Sequence, residues 1–168
     1  LALTKMGYLP SALVLTDGDE RAIELIQMNL ENSFNKIDSV RTKATTLLWG
    51  DDDQIDAIKA WCRASFASWS KTEDLRFDCV LAGDVLYKDN LPRLFFLTAH
   101  ALLKNEGTLW LCHVPRNGVS YDLVVNEACQ CGFDVQTIDT PIETVEGCPD
   151  EDVKRAVVYR MIKKERRH

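Results

Sequence analysis

Between Phe77 and Tyr87 the chain reads FDCVLAGDVLY, an apolar run that stops abruptly on small residues and an acid. Cys79 to Ala82 show no polar alternation, the pattern of a strand covered on both faces of a parallel sheet. Gly83 and Asp84 fall where such a strand ends. In open α/β sheets ligands bind outside the carboxyl ends of the strands, and a residue without Cβ there lets a ligand approach the backbone. Asp84 and Tyr87 put an acid and a phenol at the mouth of that crevice, although Asp84 equally suits the cap of the following helix.

The rest of the sequence repeats this grammar. Leu1 to Met6 before Gly7 reads as the last turns of a helix closed by a glycine. Ala12 to Thr16 is a short apolar strand ending on Asp17, Gly18 and Asp19, and Glu20 to about Phe34 is a helix with Ile23, Ile26 and Leu30 on one face. Val40 to Leu48 is a second strand, running into Trp49, Gly50 and the aspartates 51 to 53. These open a helix whose apolar side is Ile55, Ile58, Cys62, Phe66 and Trp69. Asp89 and Pro92 mark the next helix start, with Leu91, Phe95, Thr98 and Leu102 facing inward and Gly107 as its stop. Thr108 to Val114 is a continuous apolar strand, Val119 to Cys131 a helix ended by Gly132, and Phe133 to Ile138 a strand. Thr140 to Asp152 is an acidic loop containing Glu143 and Glu146, and Val153 to Ile162 is the last strand. Two strands joined without a helix predict an antiparallel hairpin at the sheet edge. The expectation is one domain over residues 1–168, a three-layer α/β sandwich with a Rossmann-like, mostly parallel sheet and a C-terminal antiparallel hairpin.

Composition narrows the function. The net charge of -6 gives no general footprint for nucleic acid, and the one basic cluster, Lys163, Lys164, Arg166 and Arg167, reads as a solvated tail. No apolar run approaches the roughly 20 residues that span a bilayer, and the first residues lack the marks of a signal peptide. The six cysteines are scattered, and Cys79 and Cys112 fall inside strand-like runs, which suits reduced, buried thiols in the cytoplasm or nucleus. Cys129 and Cys131 lack the further ligands of a zinc set, so no metal is expected. Neither nucleic acid nor membrane is expected as a partner, and the chain is expected to be a monomer.

An acid at the end of the strand that follows the first helix, here Asp17, is where doubly wound domains hydrogen-bond a ribose, although an Asp-Gly pair is also an ordinary turn. Trp49 offers an aromatic face for a purine, or simply a half-buried aromatic at a sheet edge.

The stretches LTDGDERAIELIQMNL, LLWGDD and FDCVLAGDVLYKDNLPRLFFLTAHALL, in that order, resemble the successive motifs of the seven-strand methyltransferases that use S-adenosylmethionine. The resemblance is specifically to methyltransferase family 16, whose members mostly methylate lysines in non-histone proteins. VLTDGDERAI is especially similar to that family's calmodulin-lysine and elongation-factor-2-lysine enzymes. It implies that Asp17 binds the ribose hydroxyls with Gly18 and Asp19 beside it, and that Trp49 contacts the adenine. It further implies that Ala82 and Gly83 line the methionine side, while Asp84 and Tyr87 match the acid-x-x-Tyr motif facing the target lysine of a protein substrate. The family's first strand and glycine-rich loop have no counterpart between Leu1 and His168. The expectation is that they precede Leu1, since Leu1 to Gly7 resembles the tail of the family's first helix; loss of the loop is the competing account.

On this reading the carboxylates of Asp17 and Asp84 flank one pocket, Asp84 and Tyr87 orient the amine, and its proton leaves to water. His113 ends a strand near the crevice, but nothing places a proton within its reach. Two other classes remain open: a non-catalytic interaction module on the same fold, and a nicotinamide-dependent dehydrogenase, against which the terminal hairpin and the Trp49 turn argue.

Overall fold

The computed structural model describes residues 10–34, 41–65, 76–116, 118–138 and 150–165. The chain forms two compact units, Leu1–Lys71 and Thr72–His168. The predicted helix at Leu1–Gly7, and Phe66, Trp69, Glu143 and Glu146, lie outside the described residues.

In the first unit, strands β1 (Ala12–Asp17) and β2 (Arg41–Thr46) pair in parallel, with Asp17 opposite Thr46. Helix α1 (Glu20–Phe34) follows β1 and helix α2 (Asp52–Ser65) follows β2. Both helices start where the acids predict. The Asp19 carboxylate accepts the Arg21 amide at 2.9 Å, and the Asp51 carboxylate accepts the Gln54 amide at 3.0 Å. Each satisfies an amide that the first turn leaves without a helical partner. Ile23 of α1 and Ile55, Ile58 and Cys62 of α2 are buried, as their spacing requires. Strand β2 is shorter than its apolar pattern, because the chain turns tightly after Leu47, with the Asp51 amide donating to the Leu48 carbonyl at 3.1 Å.

The second unit is a sheet in the order β3-β4-β6-β5, built from β3 (Phe77–Gly83), β4 (Leu103–His113), β5 (Phe133–Ile138) and β6 (Val157–Lys163). Strands β3 and β4 are parallel, while β6 runs antiparallel to both β4 and β5. Helices α3 (Leu91–Leu102) and α4 (Tyr121–Gln130) flank it, with a short helix α5 (Asp150–Arg155) before β6. Phe96, Leu103, Leu109, Leu111, Phe133 and Met161 are fully buried, at about 1.5–3 kcal/mol of burial each. Parallel β1 and β2, helices in alternation and a mixed sheet closed by an antiparallel strand make this a Rossmann-like α/β fold.

Five details depart from expectation. First, β3 is not covered on both faces: Leu81 is 57% exposed and Cys79 is exposed rather than buried. Second, Gly107 does not stop α3. The helix ends at Leu102, and Glu106 (φ 61) and Gly107 lie in a bulge of β4, where Phe77 pairs with Leu103 but Cys79 with Thr108. A Cβ on Gly107 would sit 2.9 Å from the Lys104 carbonyl oxygen, so packing rather than helix termination demands glycine. Third, Asp150 to Arg155, assigned in part to a loop and in part to the last strand, form α5, with Val153 buried. Fourth, β5 and β6 pair antiparallel at the sheet edge as expected, with β5 outermost, but the connection between them is not free of helix, since α5 precedes β6. Fifth, Lys163 is 3% exposed, not a solvated tail residue; its ammonium donates to the carbonyls of His100 and Leu103, each at 2.8 Å.

Among the described residues no helix is long and apolar enough to cross a membrane, and no group of metal-ligating side chains converges.

Candidate functional site

In the first unit the predicted residues Asp17, Gly18, Asp19 and Trp49 gather at the carboxyl ends of β1 and β2. The Leu47 amide donates to the Asp17 carbonyl at 2.9 Å, which continues the parallel ladder one step and lays the Leu47–Gly50 turn beside Asp17. The Asp17 carboxylate accepts the Asp19 amide through Oδ1 at 3.0 Å, and Oδ2 is left without a partner among the described residues. This fixes an exposed carboxylate with one oxygen available. A Cβ at Gly18 would meet Leu48 Cδ2 at 3.3 Å, so glycine lets the two turns close on each other. The turn itself is braced by Gln54, whose side-chain oxygen accepts the Leu48 amide at 2.7 Å, and by Gly50 at φ 86. Trp49 is half-buried within it.

The groups at this end are of the kind that can hold a nucleoside. A carboxylate with a spare oxygen accepts from a ribose diol, and an indole held on a braced turn offers a flat face to a purine.

In the second unit Ala82, Gly83, Asp84 and Tyr87 follow one another off the end of β3. The space where a Cβ of Gly83 would project is open, with no heavy atom within 4 Å. Asp84 adopts φ 50, a left-handed conformation, while its amide still donates to the Cys112 carbonyl at 2.8 Å. The strand thus ends on a hydrogen bond and turns sharply at the acid. Such backbone costs a non-glycine residue on the order of 1–2 kcal/mol, and aspartate tolerates it better than most. Leu86 is fully buried and anchors the segment, leaving Tyr87 56% exposed at its tip.

The sequence reading missed Arg116. Its Nη2 donates to Asp84 Oδ2 at 2.5 Å and lies 3.7 Å from Asp152 Oδ2 on α5. It stands beyond the carboxyl end of β4, held by a turn in which the Val119 amide donates to the Arg116 carbonyl at 2.7 Å. The usable signal was that Thr108 to Val114 ends at the same sheet edge as Asp84, which makes Arg116 the first charge available to it. His113 is fully buried, and its Nε2 lies 3.2 Å from the Val119 carbonyl, so Nε2 carries the proton. Nδ1 has no partner among the described residues. Burial pushes this imidazole below its ordinary value of 6.5; the Val119 carbonyl and Asp84 oppose that and Arg116 adds to it. It is therefore a neutral core residue. Asp17 belongs to the first unit and Asp84 to the second.

No protein-family model matches the chain, and no curated protein sequence does. Solved structures do. The chain is similar to a methyltransferase from Pyrococcus furiosus at 13% identity and TM-score 0.56, over 98% of this chain and 68% of that one. It is similar to a SAM-dependent methyltransferase from Methanosarcina mazei at 12% identity and TM-score 0.55, over 97% and 85%. It is also similar to the N-methyltransferase NodS of Bradyrhizobium japonicum at 14% identity and TM-score 0.51, over 92% and 74%. At these identities the likeness is one of fold.

Proposed function

We propose that this chain belongs to an S-adenosylmethionine-dependent methyltransferase that acts on the side-chain nitrogen of a lysine in a protein, after the manner of family 16. The observation that carries the reading is the end of β3, where open space at Gly83 adjoins an acid held in left-handed backbone. That combination suits a strand end that must admit a ligand on one side and meet a polar substrate on the other. The fold shared with methyltransferases supports it, as do the three sequence motifs in family order.

Asp17 holds the ribose hydroxyls, Trp49 lies against the adenine, and Gly18 and Asp19 set the turn that aims the carboxylate. Ala82 and Gly83 line the methionine portion. When bound, the cofactor supplies an electrophilic methyl group on a sulfonium. The chain's own task is positioning, which in well-oriented reactions is worth ~7–11 kcal/mol of barrier.

The target lysine, with an ordinary pKa of about 10.4, has to be neutral to react. Asp84 and Tyr87 orient the amine, and the displaced proton passes to water. Arg116 contributes to this. With Oδ2 of Asp84 already bonded to a guanidinium, the carboxylate attracts a second cation less strongly, while Oδ1 still accepts an N–H. The pair thus favours an uncharged amine over an ammonium.

The test is incubation of the full-length protein with isotope-labelled S-adenosylmethionine and a cell extract, with labelled lysines identified by mass spectrometry. Asp17→Ala is expected to weaken cofactor binding in calorimetry. Asp84→Asn, which keeps the left-handed backbone, is expected to retain cofactor binding while losing methylation. Unchanged turnover in the Asn variant removes Asp84 from the mechanism, and unchanged affinity in the Ala variant reassigns the ribose acid.

A further inference from the structure

Between α4 and the strands β5 and β6 the second unit holds an open cavity of about 610 Å³, within the size range of small-molecule pockets. Two tyrosines shape it. Tyr159, 2% exposed, contributes a wall from β6, and Tyr121 stands at the mouth, its hydroxyl donating to the Arg155 carbonyl at 2.7 Å. That bond fixes the Tyr121 ring. Asp122 adds a carboxylate that has no hydrogen bond or ion pair with any described residue. The nearby Arg155 guanidinium is engaged instead by the Pro115 carbonyl at 2.5 Å. Asn126 and Thr137 supply neutral oxygen acceptors, and Val125 and Val157 supply apolar wall.

Every charged or π-rich group lining this space favours positive charge, and no lining residue carries any. An aromatic face attracts a cation through its quadrupole, and the exposed Tyr121 ring beside the Asp122 carboxylate makes a recognition set for an ammonium head, with buried Tyr159 closing the wall behind it. The valines suit a methylene stem. Burial first, then Tyr121 and Asp122, push the Tyr159 hydroxyl above its ordinary value.

We propose that this cavity, built by Tyr121, Asp122 and Tyr159, is a binding site for an alkylammonium group on an unbranched methylene stem. None of its lining residues is among those assigned to methyl transfer. Lysine side chains and free polyamines share this chemistry.

The experiment is an NMR titration of the full-length protein, without methyl donor, following the ring resonances of Tyr121 and Tyr159. Because no methyl transfer is read, failure here is distinct from failure of the proposed function. n-Butylammonium is expected to shift both rings saturably, and n-butanol, of the same stem without the charge, to shift neither at equal concentration. Asp122→Asn is expected to weaken butylammonium binding at least about tenfold, and Val125→Trp, which fills the space, to abolish it. A lysine-containing tripeptide and spermidine, run side by side, identify the source by which saturates at lower concentration. Absence of a saturable shift, equal response to butanol, or undiminished binding by both variants overturns the proposal.

Discussion

Asp84 carries a cost that a merely structural residue would avoid, a left-handed backbone. The pair with Arg116 returns at most about 1 kcal/mol at its half-exposed position, so it does not by itself repay the strain. The neighbouring Gly83 presents the opposite case. Its φ lies outside the left-handed range and nothing occupies the place of a Cβ, so the fold has no need of glycine there. Gly83→Ala is therefore expected to change unfolding free energy by less than about 0.5 kcal/mol in urea titration, yet to reduce affinity for S-adenosylmethionine several-fold in calorimetry. A large stability loss with unchanged affinity would make the glycine structural. His113 gives a pH signature. Its folded-state pKa lies below 6.5, so on acidification the unfolded chain binds a proton that the folded chain refuses. Stability contributed by neutral His113 is complete above 6.5 and falls as pH drops from there toward the folded value. His113→Gln is expected to flatten the decline of the urea midpoint between about pH 7 and about pH 5, and parallel slopes would assign that decline to other groups.

The elements begin where local chemistry says and end where packing says. Ser120 caps α4 by accepting the Leu123 amide at 3.2 Å, and Gly132 at φ 90 closes it, both within reach of sequence reasoning because caps act over a few residues. The end of α3 is different. It is closed by Lys163, 60 residues beyond Leu103, whose ammonium satisfies two carbonyls that a helix terminus leaves unpaired. Lys163→Met keeps the buried stem but orphans those carbonyls, and is expected to cost about 1.5–3 kcal/mol in chemical denaturation. A change below about 0.5 kcal/mol would show that other donors close the helix. The bulge at Glu106 and Gly107 escaped prediction for a related reason. A glycine after a helical pattern reads as a stop, whereas here it answers the approach of the Lys104 carbonyl.

For the molecule as a whole, the proposed activity makes a thermodynamic demand: a ligand that binds only the folded state must stabilise it. At a free S-adenosylmethionine concentration of a hundred times Kd, unfolding free energy is expected to rise by about 2.7 kcal/mol, seen as an upward shift in Tm that Asp17→Ala removes. An unshifted Tm would leave a methyltransferase fold without its cofactor. The strands ending on Asp17 and on Gly83, the amphipathic faces of α1 to α3 and the acidic starts of α1 and α2 were all legible in the chain, because each depends on residues within a turn or two of one another. Only tertiary structure brought Arg116 to Asp84, put β6 between β4 and β5, left Leu81 exposed on β3 and opened a cavity between Tyr121 and Tyr159. Those outcomes rest on which distant segments become neighbours, and hydrophobic periodicity says which face of an element turns inward without saying what it will meet.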